Sequence, residues 1–447
     1  MDWTKQQLDL FEMCQRNRDN VVVRARAGSG KTSTAVEIAK KLPGAVFMAY
    51  NKAIADELQK RGCRASTIHS YAFALKPALT TVESGKLKFL HSQLKLFSPE
   101  YPLKKLVSRA KSFLPEDLPL FLRGYYKSLL ERKEIRPVED EDLLFEEAQR
   151  LYRKSLKVTS TMDFDDLLHL LLKPKYAQRV DTLIVDECQD LDNLMMKVVL
   201  NLARRVIVVG DPRQALYAFR GANSRAFEVL LKSLNVTNPM PLSYTFRCAQ
   251  EIVRYANRYV PDLKAFREER GEVTLQSTDG IFDPRLGYDA YLARTNQECV
   301  YQYAYLAKMG SRPKYNGNYL KTLCETLMPY STWEQVKAMI ERIQDKLVMK
   351  PNIKLATECE NLEAGLEISE RLCIPLSELK NLLTLTPQNP DCLVSTIHSA
   401  KGLEWDSVHF TDTMHKPSEL AMNLKYVAST RAKNRLHVVR VTPPPEA

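Results

Sequence analysis

None of the nine cysteines in this 447-residue sequence sits in a C-x-x-C pair, which argues against a zinc site. Nine is also an odd number, and the scattered spacing shows no disulfide framework, so reduced and mostly buried thiols are expected. No uncharged apolar run reaches the ~18 residues that a membrane span needs. The N-terminus, Met1-Asp2-Trp3-Thr4-Lys5-Gln6-Gln7, has no basic segment leading into an apolar one, so no secretory signal is expected. No internal repeat of fixed period is evident. No nuclease-type carboxylate cluster is apparent, and no partner-binding tail is expected at the C-terminus. These absences point to a cytoplasmic protein without a membrane anchor.

What is present is ordinary globular material. Hydrophobic residues make up 45% and charged residues 27%, which excludes a disordered or low-complexity chain. The length allows about three domains. Net charge is +11, so a polyanionic partner is expected, nucleic acid first and an anionic membrane surface second.

Short β-branched runs read as buried parallel strands: Val21–Val23, Val46–Met48, Leu183–Val185 and Val206–Val209. Helical patterns lie between them, which predicts an α/β domain with a parallel sheet. Cys392–Val394, Val408–Phe410 and Leu436–Val439 predict a second sheet. Residues 72–160 are rich in Leu, Lys and Glu at helical spacing and read as a helical insertion. Residues 310–390 read as a smaller, mainly helical insertion. The expected organisation is therefore a first lobe in two parts, 1–71 and 161–238, and a second in two parts, 239–309 and 391–447.

Ala25-Arg26-Ala27-Gly28-Ser29-Gly30-Lys31-Thr32 follows the first strand and precedes a helical pattern. This is the strand–loop–helix context of a phosphate-binding loop. Gly28 and Gly30 let backbone N–H groups wrap phosphate oxygens, and the helix N-terminus favours negative charge. Lys31 would pair with β/γ-phosphates and Thr32 would ligate Mg²⁺. Ala25 stands where the motif usually begins with Gly. Asp186-Glu187 closes another strand. A carboxylate there holds Mg²⁺, directly or through water, and its neighbour can deprotonate an attacking water.

Further motifs follow in order. They are Thr4–Gln7, Ala49-Tyr50-Asn51-Lys52-Ala53, Ser66-Thr67-Ile68-His69-Ser70, Asp163–Leu167, Val185–Asp190, Val209–Ala222, Leu242–Arg247, Arg294-Thr295-Asn296, Ser395–Trp405 and Tyr426–Lys433. With the phosphate loop, this set closely resembles the superfamily 1A helicases of the UvrD/Rep/PcrA type, over essentially the whole chain. The Tyr50-Asn51-Lys52 and Phe219-Arg220-Gly221-Ala222 wording leans toward phage-encoded and F-box DNA helicase relatives.

The resemblance implies two RecA-like lobes with ATP between them, and Mg²⁺ as its metal. It gives Gln7 and Phe246 to adenine, and Ala27, Gly28, Ser29, Gly30, Lys31, Thr32 and Ser33 to the phosphates. It gives Gly402 to the ATP site and Glu404 to the ribose, Asp186 to the metal and Glu187 to the water. Gln214 would sense the γ-phosphate, and Arg247 and Arg431 match arginine fingers. Tyr50, Asn51, Thr67, His69, Tyr217, Phe219, Arg220, Thr396 and His398 match strand-contacting positions. The implied function is a monomeric ATP-dependent helicase moving 3′→5′ on single-stranded DNA and engaging single-strand/duplex junctions.

Two departures stand out. The second insertion is much shorter than the family's, which opens a second reading as a single-strand translocase that strips bound proteins and unwinds little. Residues 86–111 hold seven basic residues, Lys86, Lys88, Lys95, Lys104, Lys105, Arg109 and Lys111, against Glu100 alone. That stretch is either a solvated helical face or a duplex contact. A third class, a binding module with a degenerate ATPase, is disfavoured by intact Lys31, Glu187, Gln214, Arg247 and Arg431.

Overall fold

The computed structural model describes residues 3–49, 52–76, 80–132, 134–216, 223, 225–278, 284–349 and 353–442. Contacts divide the chain into two compact units, Met1–Ser243 and Tyr244–Ala447.

The first unit begins with α1 (Lys5–Arg16), β1 (Val21–Ala25), α2 (Lys31–Lys41), β2 (Val46–Ala49), α3 (Lys52–Lys60), β3 (Ala65–Thr67) and α4 (Ile68–Leu75). A two-residue parallel pair, β4 (Thr81–Val82) and β5 (Thr161–Met162), brackets four helices. These are α5 (Lys86–Gln93), α6 (Glu100–Phe113), α7 (Leu118–Glu131) and α8 (Glu141–Lys157). The unit then runs through α9 (Phe164–Leu171), β6 (Val180–Val185), α10 (Asn193–Leu202), β7 (Ala203–Gly210), α11 (Ala226–Ser233) and β8 (Met240–Leu242).

Its main sheet is six-stranded and parallel, in the order β3-β2-β6-β7-β1-β8. Both faces are covered, so strand residues alternate between two cores. Val21 and Val23 pack with Leu10, Ile38 and Phe47 on one side. Val22 packs with Met48, Val185 and Val208 on the other. The helical insertion has a core of its own. Leu103, Leu106, Val107 and Ala110 recur at one-face spacing on α6 and meet Leu122, Leu129, Leu144 and Leu151.

The second unit opens with β9 (Tyr244–Thr245), α12 (Gln250–Ala256), β10 (Lys264–Ala265), β11 (Glu272–Thr278), β12 (Ala290–Ala293), α13 (Asn296–Lys308) and β13 (Pro313–Asn316). Helices α14 (Tyr319–Leu327), α15 (Trp333–Met349), α16 (Ile353–Leu372) and α17 (Leu376–Leu383) form the smaller insertion. They share a core with α13 through Val300, Leu323, Val336, Leu362 and Leu379. The unit closes with β14 (Cys392–Thr396), β15 (Trp405–Asp412), α18 (Glu419–Ser429) and β16 (Ala432–Val441). Its six-stranded sheet is again parallel, ordered β11-β16-β15-β12-β14-β13. The expected α/β class, two lobes each on a parallel sheet with a helical insertion, is the architecture found. Among the described residues no helix is long and apolar enough to cross a membrane.

The basic stretch 86–111 needs correction. Lys86 and Lys111 are 1% and 0% exposed, so neither belongs to a surface patch. Lys86 Nζ donates to Asp166 Oδ2 at 2.6 Å, and Lys111 Nζ reaches Asp163 at 2.6 Å and Asp166 Oδ1 at 2.5 Å. Buried ammonium groups need such partners. The pairing fastens α5 and α6 to the start of α9.

Candidate functional site

In the first unit the phosphate loop leaves β1 and enters α2. Gly28 and Gly30 both hold left-handed backbones, φ 70° and 73°, which a residue with a Cβ adopts only at a cost. Gly30 is the N-cap of α2 and brings no side chain to it, and the N-terminus of a helix favours an anionic ligand. Ser29 is 2% exposed and its Oγ has no hydrogen-bond partner. An orphaned buried hydroxyl inside a curl of glycines suits a phosphate oxygen.

Asp186 follows β6 and is 3% exposed. Thr32 Oγ1 donates to Asp186 Oδ2 at 2.8 Å. Two oxygens at this spacing, one from the loop and one from a strand end, are donors of the kind Mg²⁺ takes. Burial, then Glu187, pushes the Asp186 carboxyl up to about 6, against Lys31 and Thr32. Lys31 Nζ lies 3.4 Å from Glu187 Oε1. Glu187 has φ 53° and also accepts from Gln189 Nε2.

The residues behind this pair form one network. Gln189 Oε1 accepts from Asp211 N at 3.0 Å. Asp211, wholly buried, takes Gln214 Nε2 at 2.8 Å and Arg26 Nη1 at 3.1 Å. Gly210 makes the approach possible, since a Cβ there would lie 2.6 Å from both Cys188 Sγ and Gln189 Oε1. Burial and the neighbouring carboxylates push the Cys188 thiol well up, so it stays protonated. The sequence reading assigned no role to Arg26, Gln189 or Asp211, although all three lie inside motifs it quoted.

Gln7 stands in the first turn of α1. Its Oε1 accepts from Thr4 N at 2.9 Å in a capping box, and its Nε2 donates to Thr34 Oγ1 at 2.8 Å. Its carbonyl is thus tied to Thr4, and its Nε2 touches the helix that carries the phosphate loop. Ala27 is buried within the loop, and Ser33 is half-buried in the first turn of α2.

In the second unit two expected residues, Arg247 and Arg431, converge on Thr430, and a third, Glu404, pairs with Arg247. Arg247 Nε lies 2.5 Å from Glu404 Oε2, and Arg247 Nη1 donates to Thr430 O at 3.0 Å. Arg431 is 1% exposed. It donates to Val427 O at 3.0 Å, Leu403 O at 3.1 Å and Thr430 Oγ1 at 3.3 Å. Glu404 also meets Lys433 Nζ at 2.9 Å. Burial alone would raise its carboxyl, but Lys433 and Arg247 hold it below the usual range. Gly402 has φ 88° two residues earlier. Phe246 is half-buried with its ring centroid 4.5 Å from that of Phe266.

The described residues expected to contact a nucleic-acid strand, Thr67, His69, Thr396 and His398, fall at or just past the ends of β3 and β14. Ser66–Ser70 and Ser395–Ser399 are the same five residues, Ser-Thr-Ile-His-Ser, an identity the search for a fixed period does not detect. Each ends a parallel strand, β3 or β14; the first runs into α4 and the second into a turn, and both share one hydrogen bond. Thr67 Oγ1 accepts from Ser70 N at 3.0 Å, and Thr396 Oγ1 accepts from Ser399 N at 3.2 Å. Ile68 and Ile397 are buried, which leaves the adjoining His69 and His398 half-exposed. Burial lowers the His69 pKa, so its ring is neutral at pH 7. Phe164, 57% exposed, stands edge-on to His69 at 5.9 Å, and the sequence reading gave it no role. Tyr50, Asn51, Tyr217, Phe219 and Arg220 lie outside the described residues.

Residues 3–235 match the family described as UvrD/REP helicase N-terminal domain. Residues 391–439 match the UvrD-like helicase C-terminal domain. The chain is similar to F-box DNA helicase 1 of Gallus gallus, 27% identical over 93% of this chain and 47% of that protein. It is similar to F-box DNA helicase protein 1 of Schizosaccharomyces pombe, 25% identical over 95% of this chain and 56% of that protein. It is also similar to Gabija protein GajB of Bacillus cereus, 26% identical over 58% of this chain and 63% of that protein. The chain spans about half the length of the two F-box helicases it matches. On the first of these matches, which takes in more than half of its residues, the chain belongs to the UvrD/REP helicase family.

Proposed function

We propose that the chain is an ATP-dependent DNA helicase that moves 3′→5′ on single-stranded DNA and opens duplex at single-strand/duplex junctions, acting as a monomer. The observation that carries the reading is the 2.8 Å contact of Thr32 with Asp186 beside the 3.4 Å contact of Lys31 with Glu187. The closeness of loop and acids supports a site for a nucleoside triphosphate and its metal. The N–H groups around Ala27, Gly28, Ser29 and Gly30 hold phosphate oxygens, with Lys31 and Ser33 beside them. Thr32 and Asp186 hold Mg²⁺, which when bound neutralises developing phosphate charge. Glu187 takes the proton of the attacking water, and Gln214, held by Asp211, orients toward the γ-phosphate.

The resemblance gives two guanidinium groups, Arg247 and Arg431, to the triphosphate. Arg247 is released from Glu404 as Glu404 turns to the ribose hydroxyls, and Arg431 adds charge that favours the transition state. Phe246 stacks on adenine and Gln7 reads its edge. The matched Ser-Thr-Ile-His-Ser ends, with Phe164 next to the first, grip the strand together with Tyr50, Asn51, Tyr217, Phe219 and Arg220. The short second insertion, α14–α17, favours one other reading, a translocase that displaces bound proteins and unwinds little.

A tailed-duplex assay with ATP tests the proposal. The 3′-tailed duplex should be separated and the 5′-tailed one left intact. Separation of the 5′-tailed duplex alone overturns the polarity. Displacement of a bound protein without separation of either duplex selects the translocase.

A further inference from the structure

The helical insertion carries an open groove of about 1060 Å³ between α6 and α7, wholly inside the first unit. Its floor is made of small residues, Ser108, Ser112, Gly124 and Ser128. A Cβ on Gly124 would meet nothing within 4 Å, so the floor is bare. Its rims are cationic, with Lys104, Lys105, Arg109 and Arg132.

Aromatic rings form its walls. Phe113 stacks on Phe121 at 4.6 Å and Phe121 on Tyr125 at 5.9 Å. Arg109 lies over the Phe113 end of this column at 5.6 Å and Arg132 over the Tyr125 end at 5.8 Å. Tyr101 stands outside the column, 51% exposed, with Lys105 Nζ 5.6 Å from its ring.

We propose that this groove holds a stretch of single-stranded nucleic acid, extending the strand path past His69. The inference rests on the function proposed above and deepens it. Chemistry selects the occupant. Lysine, arginine and serine donors suit phosphate oxygens, while rings and guanidinium planes offer faces to unstacked bases. A duplex keeps its bases stacked inside and presents no such faces.

Dimensions agree. From Tyr101 to Ser112, α6 rises about 17 Å, room for a short stretch of extended single strand. One end of the groove is lined by Asp165, whose neighbour Phe164 is the ring beside His69. The groove therefore opens next to the strand contacts of the lobe. Three acids also line the groove, Glu134, Asp165 and Asp192. Glu134 is already held by Lys105 at 3.2 Å and Arg132 at 3.0 Å. Burial raises the Asp165 carboxyl to about 7.

Gly124→Glu tests the proposal on the full chain. It places a carboxylate in the empty floor, and replacing a helix-interior glycine should not lower stability. Fluorescence anisotropy without ATP would compare fluorescein-labelled oligothymidylates of 8 and 20 nucleotides. The variant should bind the longer probe at least tenfold more weakly than the wild type and the shorter one equally. Lys104→Gln with Lys105→Gln should cut the slope of log K against log salt by about 1.4, since each charge contributes ~0.7. Wild-type affinity of Gly124→Glu for the longer probe overturns the proposal and leaves the groove to an acidic protein surface. Blunt duplex that competes for the longer probe's extra affinity as well as single strand does also overturns it. Binding is read without hydrolysis, so a chain that grips DNA but fails to hydrolyse ATP refutes the proposed function and not the groove.

Discussion

Asp211 and Gln214 are joined side chain to side chain at 2.8 Å, and the other oxygen of Asp211 is held by Arg26 at 3.1 Å. One wholly buried carboxylate thus fixes the Gln214 side chain and pairs with an arginine that is 8% exposed. Removing it takes a paired carboxylate from a buried guanidinium. Asp211→Ala should cost about 3–5 kcal/mol, read as a lower urea midpoint. A loss under 1 kcal/mol would mean that Arg26 finds water or another acid.

Lys111→Met and Lys104→Met should separate buried from surface charge in the insertion. Lys111 reaches both Asp163 and Asp166, so its loss should destabilise by about 3–5 kcal/mol. Lys104 is an exposed rim residue, and its loss should stay within about 0.5 kcal/mol. Equal losses in thermal unfolding would show that the buried pairing carries no stability.

Asp165 gives stability a pH dependence of known sign. Burial first, then the neighbouring carboxylates, raises its carboxyl from 3.8 to about 7, against Lys111. The folded state therefore holds this proton more tightly than the unfolded state. The stability that this proton lends is fully present below the unfolded value and is lost as pH rises toward 7. Asp165→Asn should unfold near the wild-type temperature at pH 4 and at a higher one by pH 8. A difference that stays constant across that range would remove Asp165 as the cause.

Thr67→Ala and Thr396→Ala probe the repeated pentapeptide. Thr67 caps α4 through Ser70 N, so its loss should cost about 1 kcal/mol. Both variants should need more single-stranded DNA for half-maximal stimulation of ATP hydrolysis, with the unstimulated rate unchanged. Unchanged DNA dependence in both would exclude the pentapeptides from the strand path.

Much of this was legible in sequence where the signal is local. Val21–Val23 followed by Gly28-Ser29-Gly30-Lys31 fixes strand, loop and helix together, because each step has its own chemistry. The parallel runs at Leu183–Val185 and Val206–Val209 were equally plain, being β-branched and buried on both faces. Met240–Leu242 was not. Pro241 weakens its strand signal, and it pairs with β1 as an edge strand, where proline is tolerated. The burial of Lys86 and Lys111 was also illegible, since it depends on Asp163 and Asp166, more than 50 residues later. Nor does spacing show that Arg431 turns inward onto Val427 O and Leu403 O.

The central claim is that the phosphate loop and the strand contacts work as one engine. ATP hydrolysis by the wild type and Lys31→Ala, with and without oligothymidylate, tests it most directly. Single-stranded DNA should raise the wild-type rate at least tenfold, and Lys31→Ala should show no stimulated rate. An equal wild-type rate with and without DNA, or full activity in Lys31→Ala, would contradict the account.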